Sequence, residues 1–296
     1  RFAVVTFGRR HLPTYGELID SYGLGSRCVG VEAIDAGPSA ALADPRGAVQ
    51  ALAGLATQAI TDVCANAARE VASPGTEVVS ATGTFGPQVI GSRSENALAQ
   101  HGMLELAAKH APGCDAVVIA VSMDTGLPAL RELLSIPVVG MTEAGALMAC
   151  TVGARFAVVT FGRRHIPTYG ELIDSYGLGS RCVGVEAIDA GPSAALADPR
   201  GAVQALAGLA TKAIEERGAE VILMAGAVAA GWQRDLQALV PVPVVEGVRC
   251  ATLMAESLVR MKMPKPTVGS YSSPGVRAVG GVDPALAALF GGTAGR

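Results

Sequence analysis

Short apolar runs alternate with longer segments of helical period along most of this chain. Thr76–Ala81 (TEVVSA), Ala116–Val121 (AVVIAV), Ile136–Gly140 (IPVVG) and Phe156–Phe161 (FAVVTF) are such runs, followed by Cys182–Ile188 (CVGVEAI), Val221–Ala225 (VILMA) and Val240–Val245 (VPVPVV). Their unbroken apolar character predicts buried strands covered on both faces, as in parallel sheets. Helix-end signals lie between them. Asp198 and Pro199 supply an N-cap and a first-turn proline, and Gly218 sits just past the end. Val203, Leu206, Ala207, Ala210 and Ile214 form one stripe within those limits. Gly177 closes a second helix that starts near Pro167. This alternation predicts an α/β fold with mainly parallel sheets and right-handed crossovers.

The pattern also repeats. Residues 1–60 recur as 155–214 at 58 of 60 positions, differing only at Leu12/Ile166 and Gln58/Lys212. A repeat kept only for its fold would hold the apolar period and let its loops drift. Here the loops GRRH and SYGLGSRC recur unchanged, which marks a recent copy, an engineered one or an error of sequence assembly, and not a solenoid. The copy runs directly into Thr61–Ala72, so residues 44–72 are expected to form one long helix joined near Ile60. Arg1 is not expected to be a native start, and function is read mainly from residues 61–296.

An older repeat lies beneath it. Ile136–Ala149 (IPVVGMTEAGALMA) parallels Val242–Ala255 (VPVVEGVRCATLMA), matching Pro137 with Pro243, Val138 with Val244 and Val139 with Val245. Each copy follows a strand, a loop of small residues and a short helix. The expected organisation is a duplicate at 1–60, α/β halves at 61–150 and 151–263, and a Gly/Pro/Ala-rich tail at 264–296 that contains one short apolar helix, PALAALF. Ligands of such sheets bind beyond the C-terminal strand ends, beside helix N-termini. The loops Val121–Gly126 and Ala225–Gly231 should therefore face each other across a cleft.

Composition narrows the function class. Hydrophobic content is 50% with 4% aromatics, and the net charge is −3 with no Lys/Arg block, which argues against nucleic acid and anionic membranes as partners. No apolar run suggests a membrane span or a secretory signal. The six cysteines are scattered without a CxxC, so reduced thiols and a cytoplasmic protein are expected. Cys114, Cys150, Cys182 and Cys250 read as small buried apolar residues. No metal-ligand spacing or phosphate-binding motif is present, so neither metal nor cofactor is expected. The copied apolar positions Val4, Val5, Leu18, Val49 and Leu52 need cover from the rest of the chain or from a second subunit. A homo-oligomer with a small-molecule ligand is the expectation.

The run TDVCANAAREVASPGTEVVSATGTFGPQVIGSRSENALAQHG, then VVIAVSMDTGLPALREL, PVVGMTEAG, ARFAVVTF, GAEVILMAGA and PVPVVEGVRCATLMAESLV, resembles the aspartate/glutamate racemase superfamily, with hydantoin racemase as the nearest branch. The resemblance spans about residues 61–275. It implies two similar α/β domains with the site between them, and cofactor-free inversion of an acidic carbon by one cysteine from each domain. It places the first cysteine on Val121, with Asp124 and Gly126 matching the family residues just after that cysteine, and the second on Gly226. Neither Val121 nor Gly226 carries a proton, so two-thiol chemistry is not supported. The resemblance then implies a cofactor-independent isomerase or lyase acting on a small carbonyl or carboxylate compound, hydantoin or amino-acid-like, with Ser122, Asp124 and His165 as weak substitutes. A catalytically inactive relative that binds a ligand or partner in the same cleft is the alternative. The Asn-rich turn that opens family members has no counterpart here.

Other residues carry two readings each. Ser122 is an anion-binding or weakly activated hydroxyl, or a plain helix-capping serine. Asp124 is a site acid or a cap. His165 is an acid or base at neutral pH, or an exposed loop residue beside Arg163 and Arg164. Glu143 and Glu246, after the paired PVV strands, line the cleft or the surface. Thr160, Phe161 and Ala227, together with Gly126, complete the expected substrate-binding set. Trp232 forms a pocket wall or packs in the core.

Overall fold

The computed structural model describes the backbone at 2–7, 28–34 and 45–57, and whole residues at 58–87 and 89–291. The side chains of Val4, Val5, Val49 and Leu52, and Leu18 altogether, lie outside the described residues.

The second half follows its sequence pattern closely. Phe156–Phe161 (β5) is buried at every position. It lies inside a parallel four-stranded sheet of order β6–β5–β7–β8, with β6 at Cys182–Ile188, β7 at Val221–Met224 and β8 at Val244–Glu246. β8 begins later than the apolar run suggests because Pro241 and Pro243 cannot donate to a ladder. Pro199–Arg217 (α7) starts where Asp198 accepts from the Gly201 N–H and ends at Gly218, whose φ of 68° closes the helix. Ile166–Ser175 (α5) covers the other face of the sheet, burying Tyr169 and Ile173.

The first half is thinner. Val117–Ile119 (β3) and Val138–Gly140 (β4) form a parallel pair, with Val117 opposite Val138 and Ile119 opposite Gly140. Arg93–His110 (α2) and Leu127–Leu133 (α3) pack beside it. Thr76–Ala81, expected as a strand, joins no ladder. It runs along the end of Pro45–Val71 (α1), where the Val78 C=O accepts from Arg69 and the Thr76 hydroxyl donates to Glu256 at 2.6 Å. Val79 is 64% exposed, so the apolar run is not enclosed, and none of the described strands pairs with it.

The halves meet through Met141–Val152 (α4) and Gly247–Arg260 (α9), the helices after the two PVV strands. Their contact is close because both carry glycine at the crossing. A β-carbon on Gly145 would lie 2.6 Å from Leu223 Cδ1 and 3.4 Å from Gly247 Cα. The resulting core mixes both halves, joining Val139 and Met141 to Val158, Leu223 and Val248.

The duplicate adds two pieces. α1 is a single helix of 27 residues running through the Ile60 junction, as expected. Phe2–Phe7 (β1) and Cys28–Ile34 (β2) pair in parallel, with Phe2 opposite Cys28 and Phe7 opposite Ile34. The same register, with the same shift after the first residue, joins β5 to β6. Pro192–Ala197 (α6) touches β1, and Gln233–Gln237 (α8) and Pro284–Gly291 (α10) complete the helices among the described residues. Of the cysteines expected to be buried, Cys250 is, while Cys114, Cys150 and Cys182 are only half-buried. Cys114 and Cys150 sit near element ends, where solvent reaches them.

Candidate functional site

The loops after β3 and β7 meet, as the repeat predicts. Ser122 lies three residues beyond β3, and its Oγ accepts from the Ala227 N–H at 2.8 Å. Ala227 opens a 3-10 turn at Ala227–Ala229 that follows β7 through Gly226. On the other side of that turn, the Cys64 thiol of α1 donates to the Ala227 C=O at 3.4 Å. One residue of the second half is thus held at both backbone groups by the first. Tyr169, 1% exposed, sets its hydroxyl beside those of Thr160 and Ser122. Ser122, Thr160, Tyr169 and Ala227 form one neutral polar cluster.

A cavity of about 1080 Å³ opens on this cluster. Val121, Ser122, Thr160, Phe161, His165, Tyr169, Gly226, Ala227 and Cys64 line its inner end. From there it continues as an apolar trough along β3 between α2 and α9. His165 is half-buried, and burial pulls its imidazole below its ordinary value, against the carboxylate of Glu95. It is therefore neutral at pH 7. Burial pushes the Cys64 thiol up to about 12, with Glu246 adding to the rise. That thiol is a proton-bearing donor and not a base.

Gly226 has φ +117°. A β-carbon there would lie 2.7 Å from both Cδ2 and Cε2 of Phe161. The phenyl ring thus fills the space into which any side chain at this position would extend. Phe161 is held in turn by Trp232, whose ring meets it edge-on at 6.1 Å. Trp232 is therefore a support behind the wall and not the wall itself.

Four expected site residues face elsewhere. Asp124 is buried, and its carboxylate accepts from the N–H groups of Thr142 (3.0 Å) and Glu143 (2.8 Å) and from the Tyr176 hydroxyl (2.6 Å). It caps α4 from a left-handed backbone (φ 46°), and a β-carbon on Gly140 would lie only 2.4 Å from its Cγ. Burial outweighs these donors and lifts the carboxyl to about 6. Glu246 caps α9, accepting from Val248 and Arg249 at 2.7 and 3.1 Å. Glu143 is held by the Arg131 guanidinium. Gly126 is the left-handed residue that opens α3. None of the four lines the cavity, because each satisfies a helix end or a neighbouring cation.

Tyr169 in the cluster and Cys64 beside it are the residues that the sequence pattern does not single out. Tyr169 sat in a recognised helix, but only tertiary packing shows which face of α5 meets Ser122. Cys64 was one of several scattered thiols with no spacing to distinguish it. Among the described residues no cluster of His, Cys, Asp or Glu could hold a metal, and no helix is long and apolar enough to cross a membrane.

Comparison with known proteins bears directly on this geometry. The Asp/Glu/Hydantoin racemase family model matches residues 52–255. The chain belongs to that family. It is 35% identical to a hydantoin racemase of Rhizobium meliloti over 207 residues, covering 70% of this chain and 86% of the relative. A hydantoin racemase of Paenarthrobacter aurescens is 33% identical over 220 residues, covering 74% and 93%. Among solved structures, allantoin racemase from Pseudomonas fluorescens superposes with a TM-score of 0.72 at 36% identity, covering 74% of this chain and 93% of that one. The family match begins inside α1, so β1 and β2 lie outside it.

Proposed function

We propose that the cleft binds a small neutral ring carrying amide N–H and C=O groups, of the hydantoin class, and does not racemise it by the two-thiol route. The relatives named for hydantoin and allantoin supply the ligand class. The chemistry of the lining supports it. Ser122, Thr160, Tyr169 and neutral His165 offer donors and acceptors without formal charge, which suit a ureide better than a carboxylate. Among the described lining residues the one arginine is Arg260, at the far end of α9 from Val248. At a rise of about 1.5 Å per residue, that is roughly 18 Å along the helix.

A single observation carries the negative half of the proposal. The positions that the family resemblance assigns to the two thiols hold Val121 and Gly226, and Phe161 fills the space beside Gly226. Proton removal on one face and delivery on the other each needs a titratable atom in line with the carbon. Cys64, the nearest thiol, is held protonated by burial and donates to Ala227.

Titration calorimetry with 5-substituted hydantoins tests the ligand. Saturable binding that weakens in Tyr169→Phe and Ser122→Ala is expected. Absence of binding for every hydantoin and for allantoin would overturn the ligand class.

A further inference from the structure

Among the described residues the first half lacks two of the four strands that make the sheet of the second, and the chain carries a matching pair elsewhere. In the second half β7 is flanked on both sides, by β8 and by β5. In the first half, among the described residues, β3 pairs with β4 alone. The older repeat superposes Val138 on Val244, and the observed pairings then superpose Val117 on Ile222, Val118 on Leu223 and Ile119 on Met224. Backbone bonding agrees, since the Val117 N–H donates to Pro137 and the Ile222 N–H to Pro243, both at 2.9 Å.

The side of β3 that corresponds to the β5 side of β7 is the trough. Its floor is Ala116, Val117, Val118 and Ala120, and its walls come from α2, α9 and the unpaired segment 73–83. α9 packs on β3 and β4 as α4 packs on β7 and β8. The trough is thus a strand-shaped apolar space beside an open parallel edge. Among the described residues β1 likewise pairs on one side only, with β2. Its sequence, FAVVTF, is identical to that of β5, the strand that fills the equivalent space in the other half.

We propose that the trough is the docking site of β1 from the same chain, forming a sheet of order β2–β1–β3–β4 that repeats β6–β5–β7–β8. The β5–β7 register fixes the pairing. Phe156 opposite Val221, Val158 opposite Leu223 and Val159 opposite Met224 become Phe2 opposite Ala116, Val4 opposite Val118 and Val5 opposite Ile119. The Ala225 N–H donates to the Val159 C=O at 2.9 Å, so the Ala120 N–H donates to Val5. Docking also places Thr6 and Phe7 level with Ala120 and Val121, at the mouth of the cleft.

The reach favours the same chain over a second copy. α6 touches β1, and its Pro192 lines the cavity, so one helix borders both. Ten residues separate Ile34 from Pro45, enough for roughly 33 Å of extended chain. A paired strand would satisfy the open backbone edge and cover apolar walls, both of which favour docking.

Paired cysteines test the register. Val4→Cys with Val118→Cys, oxidised mildly and peptide-mapped, should give a disulfide joining 4 to 118 within one chain. Ala3→Cys with Val118→Cys, one residue out of register, should give roughly tenfold less, because a one-residue slip turns side chains to the opposite face. Equal yields, no 4–118 bond, or a bond only between chains would overturn the proposal. Hydrogen exchange in the unmodified protein gives an independent reading. The Ala120 amide should exchange as slowly as that of Ala225, and Val5→Pro should release Ala120 while leaving Ala225 protected. Exchange of Ala120 at the rate of an open amide would overturn the proposal.

Discussion

The ring of Phe161 stands 2.7 Å from the point where Gly226 would carry a β-carbon. Phe161 ends β5 and Gly226 follows β7, so two neighbouring strands bring them together at the cleft. The contact makes glycine at 226 a feature of packing as well as of sequence. Cysteine there meets both a positive φ and a fixed ring. We expect Gly226→Cys to destabilise the protein by about 2–4 kcal/mol, combining backbone strain and overpacking. Val121→Cys with Gly226→Cys should give no racemase activity until Phe161→Ala opens the space. Denaturant melts and chiral chromatography of a hydantoin enantiomer check both parts, and activity in the double variant would show that the ring yields.

Ser122 joins the halves through the Ala227 N–H. Removing its hydroxyl leaves that donor without a partner and costs about 1–3 kcal/mol. Ser122→Ala should lower the denaturation midpoint, whereas Ser122→Thr, which keeps an acceptor, should lose less. Equal losses in the two variants would mean that the hydroxyl is not what holds the turn.

Asp124 predicts a pH dependence with a definite sign. Its folded-state value of about 6 lies above the ordinary 3.8, so the folded protein binds the proton more tightly than the unfolded chain. Its contribution to stability is therefore full below about pH 4 and is lost as pH rises through 6. The stability gap between the native protein and Asp124→Ala should be larger at pH 4 than at pH 7. A gap that grows with pH would show that the helix-end donors, and not burial, control this carboxyl.

Cys64 should react slowly despite lining the cavity. Burial pushes its thiol up to about 12, so the thiolate fraction at pH 7 is on the order of one in 10⁵. Iodoacetamide should modify the half-buried Cys114 and Cys150 first, as peptide mapping over time would show. Early loss of the Cys64 peptide would mean that an unrecognised group stabilises its thiolate.

Much of the fold was legible because periodicity and end signals agree in the second half. Asp198, Pro199 and Gly218 bound α7 where the sequence placed its ends, and FAVVTF and CVGVEAI form strands at the expected residues. Thr76–Ala81 failed because an apolar run becomes a strand only beside a partner, and pattern alone does not show whether one is present. The site was legible as two loops and not as side chains. Ser122 and Ala227 meet as the older repeat predicts, whereas Asp124 and Glu246 turn to helix ends that their own loops leave unsatisfied. Tyr169 was hidden because the face that a helix buries against another strand's end is set by tertiary packing.

The proposed function has the cleft hold a hydantoin-class ring without two-thiol proton transfer. One enantiomer of 5-isopropylhydantoin, incubated with the protein in D2O, tests it most directly, read by chiral chromatography and by deuterium at C5. Saturable binding is expected, with racemisation and exchange no faster than in buffer. Racemisation above the buffer rate that iodoacetamide abolishes and bound ligand protects would contradict it.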